Sequence, residues 1–146
     1  KDASASAGVV VMAAAVADYR PREAADHKLT KAEGGLGRIE LVENEDVVAA
    51  LAAARSEGRA PAGQTIVAFA AETLPDADDR RARARGKRER KGVDLLAVNL
   101  ADAEHGFEKS HNTVEVIGEG GAVVAEASGT KRQVASAIWN AVIGIR

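Results

Sequence analysis

Residues 65–99 read TIVAFAAETLPDADDRRARARGKRERKGVDLLAVN, and this stretch decides the fold. Its ends, TIVAFAA at 65–71 and DLLAVN at 94–99, are short apolar runs of the kind that form strands buried on both faces. Between them, Pro75 and the acids Asp76, Asp78 and Asp79 open a helix expected to run to about Arg90, and Gly92 closes it. Strand, helix and strand in this order make the crossover unit of an α/β protein.

The flanks extend the pattern in both directions. Upstream, GVVVMAAAV at 8–16 reads as another buried strand, and Ala17-Asp18-Tyr19-Arg20-Pro21 as its exit, because Pro21 biases Arg20 away from helix. Residues 22–38 are polar, with Gly34, Gly35 and Gly37 close together, and read as a loop or hairpin. In RIELVE at 38–43, Ile39 and Leu41 alternate with charge, as in a half-exposed strand. Asn44 is placed to cap a helix in which Glu45 and Asp46 face the positive end of the dipole, Val47, Val48 and Leu51 keep helical spacing, and Gly58 ends the run. Downstream, residues 113–117 and 122–125 flank Gly118-Glu119-Gly120-Gly121, a hairpin signature. Ser128 or Thr130 then caps a last helix to Ile143, with Val134, Ile138, Trp139 and Val142 on one face.

A chain of 146 residues is sufficient for one core, and neither repeats nor an internal linker divide it. Aromatic residues are only 3%, so that core depends on close packing of alanine and small aliphatic side chains. A net charge of −2 argues against binding nucleic acid through overall charge. With no cysteine, disulfides, cysteine–zinc sites and thiol catalysis are excluded. There is no signal-like segment and no apolar run long enough for a membrane span, so a cytoplasmic protein without membrane contacts is expected. The chain opens at Lys1 and reaches its apolar run by Gly8, the pattern expected of a piece of a longer chain.

Chemistry is expected where the buried strands end, because open α/β sheets bind ligands at their carboxyl edges. Asp18, Glu72, Thr73 and Asn99 occupy those positions. Their bland role is to cap loops and helices. A second feature is the run Arg80, Arg81, Arg83, Arg85, Lys87, Arg88, Arg90, Lys91, in which Arg83, Lys87 and Lys91 share a helix face. It reads either as a face that receives a polyanion or as a solvated surface offset by Glu89 and the upstream aspartates. Lys91 ends the helix just before a strand, at the opposite end of the sheet. The histidines His27, His105 and His111 are scattered, without metal-ligand spacing. No glycine-rich phosphate loop and no nucleophile elbow is present.

Taken together, these stretches resemble the phosphopantothenoylcysteine synthetase family. Residues 13–21, AAAVADYRP, resemble its AAVADYRP motif, and Lys28-Leu29-Thr30-Lys31 its lysine motif. Asn44-Glu45-Asp46-Val47 resembles N-P-D-I, and Ala68-Phe69-Ala70-Ala71-Glu72-Thr73 resembles GFAAET. Residues 87–99 resemble K-x-x-R-K-x-x-D-x-x-x-x-N; Phe107, Asn112 and Ser128-Gly129-Thr130-Lys131 resemble later motifs, in order.

The resemblance implies an α/β, Rossmann-like three-layer domain with a mainly parallel sheet, a dimerisation loop and strand region, and a C-terminal β-hairpin plus helix. It implies a ligase joining 4′-phosphopantothenate to cysteine through an acyl-cytidylate made from CTP with Mg²⁺. Carried over residue by residue, CTP would lie against Met12, Ala13, Ala14, Asp18, Lys28, Phe69, Lys87 and Lys91, and against the turn of Asn44, Glu45, Asp46 and Val47, which would read the base. Lys28 would be catalytic, and Asp18 would also help hold the cation. Residues 28–42 would form a homodimer contact. FMN would belong only to an upstream decarboxylase domain. The whole chain, 1–146, would be the CTP-binding and dimerising part of the synthetase domain, unable to turn over alone.

Four positions depart from the family pattern: Glu45 replaces Pro, Ala68 replaces Gly, Thr30 replaces a lysine and Leu100 replaces Asp. A non-catalytic nucleotide-binding and dimerisation module remains as the alternative. A Rossmann-type oxidoreductase lacks support, because there is neither a dinucleotide fingerprint nor a Tyr-x-x-x-Lys pair.

Overall fold

Among the described residues, three parallel strands, a hairpin and three helices form the layered core. The computed structural model describes residues 2–28, 30, 38–100 and 111–146. These divide into two units, Lys1–Ala13 with Val48–Arg146, and Ala14–Val47.

The larger unit holds β1 (Val9–Met12), most of α1 (Val47–Ser56), β4 (Thr65–Glu72), α2 (Ala77–Lys91), β5 (Leu95–Leu100), β6 (His111–Ile117), β7 (Val123–Thr130) and α3 (Lys131–Gly144). The sheet order is β1-β4-β5-β6-β7. β1, β4 and β5 are parallel, with Val9 opposite Thr65 and Val67 opposite Leu95. β6 and β7 run antiparallel as the expected hairpin. Two buried apolar clusters join the sheet to the helices on its two faces. Ile66, Ala68, Leu96, Val98 and Ile117 pack with Val48 and Ala52 of α1 and Ala84 of α2. Val67, Leu95, Ala97, Val114 and Val116 pack with Val134, Ile138, Ala141 and Val142 of α3. This is an α/β, Rossmann-like three-layer arrangement.

The local signals of α2 act as read. The Asp76 side chain accepts from the Asp79 N–H, and Gly92, at φ 64°, donates to the Arg88 and Glu89 carbonyls. Of the two candidate caps for α3, Thr130 is the one used, in a reciprocal pair with Gln133. Asp94 locks the floor of the sheet: its Oδ2 accepts from Arg55 Nη1 at 2.5 Å and from the Ile66 N–H at 2.7 Å. Among the described residues no helix is long and apolar enough to cross a membrane.

In the smaller unit, β2 (Tyr19–Pro21) pairs antiparallel with β3 (Leu41–Glu43). The register sets Tyr19 opposite Glu43 and Pro21 opposite Leu41, and the Arg22 N–H continues it to the Glu40 carbonyl at 2.8 Å.

Three expectations are corrected. The first strand stops at Met12 rather than Val16, because its pairing with β4 ends at Ala68 and the Ala13 N–H turns back to the Val11 carbonyl. The exit at 17–21 contains a strand, since Pro21 needs no N–H to pair on an edge. Asn44 does not cap α1, which begins three residues later at Val47; its amide is spent on residues 17 and 20. Lys31, the glycines at 34–37, His105 and Phe107 lie outside the described residues.

Candidate functional site

The carboxyl edge of the sheet is built from the last residues of β1, β4 and β5. Met12 ends β1 opposite Ala68 and packs against the cluster under α1 and α2. Phe69 is opposite Ala97, and Ala71 is opposite Asn99. Side chains alternate along a strand, so Phe69 and Asn99 share the face of Val67 and Ala97, the α3 side. Phe69 is 37% exposed there. The Asn99 Oδ1 is buried and has no hydrogen-bond partner among the described residues. An orphaned buried acceptor is costly, and a ligand donor would relieve it.

On the opposite face, Glu72 ends β4 and is only 4% exposed. Its carboxylate meets Lys87 Nζ, and its Oε2 lies 3.5 Å from Arg83 Nε. Arg83 and Lys87 are one turn apart on α2, and helical side chains lean toward the helix N-terminus. Because α2 runs back along the sheet, that lean carries the Lys87 ammonium up to the carboxyl edge. Lys91, another turn along, ends α2 just before β5 and so belongs to the opposite edge, as expected.

Three more cations of the basic run, Arg80, Arg81 and Arg88, are partnered within the larger unit. Arg80 donates to the Leu74 and Pro75 carbonyls at 2.8 and 2.7 Å, and Arg88 to the Asp94 carbonyl at 2.9 Å. Arg81 reaches Glu115 at 2.8 Å and Glu126 at 3.2 Å. The hydrogen bond it donates to Glu115, then the Glu115 charge, raises the Arg81 guanidinium above its ordinary pKa. The helix thus relieves much of its self-repulsion with internal carboxylates and carbonyls. Sequence reading missed the buried Glu115; its only signal was a lone acid on an inward position of an apolar strand.

Ala14, Asp18, Lys28, Asn44, Glu45, Asp46 and Val47 belong to the smaller unit. Here the Asn44 Nδ2 donates to the Ala17 carbonyl at 2.7 Å, and the Asn44 N–H to the Asp18 carbonyl at 2.8 Å. Arg20 Nη1 donates to Asn44 Oδ1 at 2.7 Å and to the Glu43 carbonyl at 3.3 Å. Two sequence motifs far apart along the chain are therefore one piece of structure. Asp18 and Lys28 are exposed. Of the expected contacts, then, Met12, Ala13, Phe69, Lys87 and Lys91 are carried by one unit and the others by the second.

The profile of the DNA/pantothenate metabolism flavoprotein C-terminal domain matches residues 1–145. The chain belongs to this family. Its relatives include the coenzyme A biosynthesis bifunctional protein CoaBC of Mycolicibacterium smegmatis, 41% identical over 136 residues, which are 93% of this chain and 33% of the relative. The chain thus spans about a third of the length of that relative. Among solved structures, the crystal structure of the C-terminal domain of CoaBC superimposes with a TM-score of 0.55 at 25% identity, covering 92% of this chain and 52% of the other. The DNA/pantothenate metabolism flavoprotein from Streptococcus pneumoniae superimposes with a TM-score of 0.62 at 12% identity, covering 95% and 64%, a likeness of fold alone.

Within this flavoprotein C-terminal domain, Asp18 is the only residue read as a metal ligand. Among the described residues, no group of three His, Cys, Asp or Glu side chains gathers to hold an ion. A lone carboxylate fits magnesium of the kind carried mainly by a nucleotide's phosphates and waters.

Proposed function

We propose that this chain supplies the CTP-binding part of a phosphopantothenate–cysteine ligase acting in coenzyme A biosynthesis. The observation that carries the reading is the 41% identity with a CoaBC protein across 93% of the chain. The buried Asn99 oxygen, without a hydrogen-bond partner among the described residues and on the same face as exposed Phe69, supports it, at the edge where α/β sheets bind ligands.

In this reading, the carboxylate of 4′-phosphopantothenate attacks the α-phosphate of CTP and pyrophosphate leaves. The cysteine amine then attacks the acyl carbon of the cytidylate, CMP leaves, and an amide remains. The protein's task is to offset the triphosphate charge and to keep water from the mixed anhydride. Met12, Ala13, Ala14 and Phe69 would line the nucleotide. Residues 44–47 would face the base, and Lys28, an exposed lysine, would take the phosphates and stabilise the leaving charge. Lys87 already meets the buried Glu72, so its part is secondary, and Lys91 needs its full length to contribute. Mg²⁺, with Asp18 as its one protein carboxylate, would supply further charge to the phosphates. Residues 28–42 would make the contact of a homodimer.

The test is pyrophosphate release by the full-length protein containing this chain, with 4′-phosphopantothenate, cysteine, Mg²⁺ and each nucleoside triphosphate in turn. Release that requires 4′-phosphopantothenate, continues past one turnover only when cysteine is present, and is fastest with CTP is expected. No release with any nucleotide overturns the ligase reading and leaves the non-catalytic module.

A further inference from the structure

The hydrogen bonds around Asn44 define a job that is different from touching a ligand. A residue's conformation is set by the peptide planes on either side of its Cα. For Asp18 those planes carry the Ala17 and Asp18 carbonyls, and both accept from Asn44, one from the side-chain Nδ2 at 2.7 Å and one from the backbone N–H at 2.8 Å. One residue therefore pins both soft dihedrals of Asp18. The amide of Asn44 serves this purpose only with its NH₂ toward Ala17. Arg20 Nη1 sets that orientation by donating to Oδ1 at 2.7 Å, since a guanidinium has donors and no acceptor. Arg20 is itself tied to the Glu43 carbonyl, next to Asn44 in the chain. The β2–β3 register, Arg20 opposite Val42, brings these two residues within reach.

We infer that Asn44 and Arg20 are positioning residues: Arg20 orients the Asn44 amide, and Asn44 fixes Asp18 together with the turn of Glu45, Asp46 and Val47 that follows it. The inference rests on the ligase reading for what Asp18 and that turn hold, namely a nucleoside triphosphate with its cation. It assigns the Asn44 side chain to the protein and leaves base contact to the backbone of the residues after it.

The test uses the full-length protein and initial rates against CTP and, separately, against cysteine. Asn44→Ala is expected to raise KM for CTP about tenfold, the equivalent of one lost charge-assisted or oriented hydrogen bond, with KM for cysteine unchanged. Asn44→Asp keeps the acceptor for Arg20 but presents an oxygen to the Ala17 carbonyl, and is expected to be no better than Asn44→Ala. Arg20→Ala acts through the same amide, so the double variant is expected to be no worse than Asn44→Ala alone. An unchanged KM for CTP in Asn44→Ala overturns the inference. So does an additive double variant, or a fall in kcat with both KM values unmoved, which is what loss of folded protein would produce. These outcomes leave a wild type that consumes CTP, whereas a wild type that consumes none overturns the ligase reading and this inference with it.

Discussion

The two units of this chain differ in what holds them. The sheet unit buries Ile66, Val67, Leu95, Leu96 and Ile117 almost completely and is layered by helices on both faces. The smaller unit, Ala14–Val47, pairs two strands of three residues each, leaves Tyr19 and Leu41 exposed, and is tied by the polar contacts of Asn44, Arg20 and Glu40. Apolar burial is worth far more per residue than exposed hydrogen bonds, so stability is concentrated in the first unit. The smaller unit carries Asp18 and Lys28, the polar residues placed nearest the triphosphate in the proposed function. A segment of little apolar burial is where conformational adjustment to a ligand costs least.

Substitutions test that contrast directly. Ile66→Ala removes a fully buried side chain between α1, α2 and the sheet, and is expected to cost about 3–4 kcal/mol in denaturant unfolding. A cost below about 1 kcal/mol would break the assignment of the core. Lys87→Met leaves the Glu72 carboxylate buried with only the longer contact to Arg83, and is expected to cost about 2 kcal/mol by the same measurement. Thr130→Ala removes the cap of α3 and is expected to lower stability by about 1 kcal/mol. Lys28→Gln is expected to change stability by less than about 0.5 kcal/mol, as an exposed loop residue should, yet to abolish most CTP-dependent turnover in the full-length protein. The two lysines sharpen the comparison. Both were read as phosphate contacts, and a stability cost for Lys87→Met alone would show that one of them is also a structural cation.

Element boundaries set by local chemistry were legible. Asp76 and Gly92 bound α2 because a cap side chain and a left-handed glycine act on their own turn. The glycines at 118–121 turn the hairpin, with Gly120 and Gly121 at φ 65° and 83°. Positions set by contact across the chain were not legible. Asn44 looked like a helix cap because capping is what asparagine does before an apolar helical run; its partners at Ala17 and Arg20 come from strand pairing more than twenty residues away. Glu72 looked like a loop acid or a ligand contact, and only packing made it the counter-charge of Lys87 and Arg83.

The α/β class, the crossover unit, the hairpin, the last helix and the family were determined by the amino-acid sequence, since hydrophobic period, turn residues and ordered motifs are local quantities. The tertiary structure decided which charges are already spent. On α2, Arg80, Arg81, Arg83, Lys87 and Arg88 find carboxylates or carbonyls in the larger unit. It also decided that one asparagine pins the backbone of Asp18. Both follow from distances between residues remote in the chain, and those distances exist only once the strands have paired and the helices have packed.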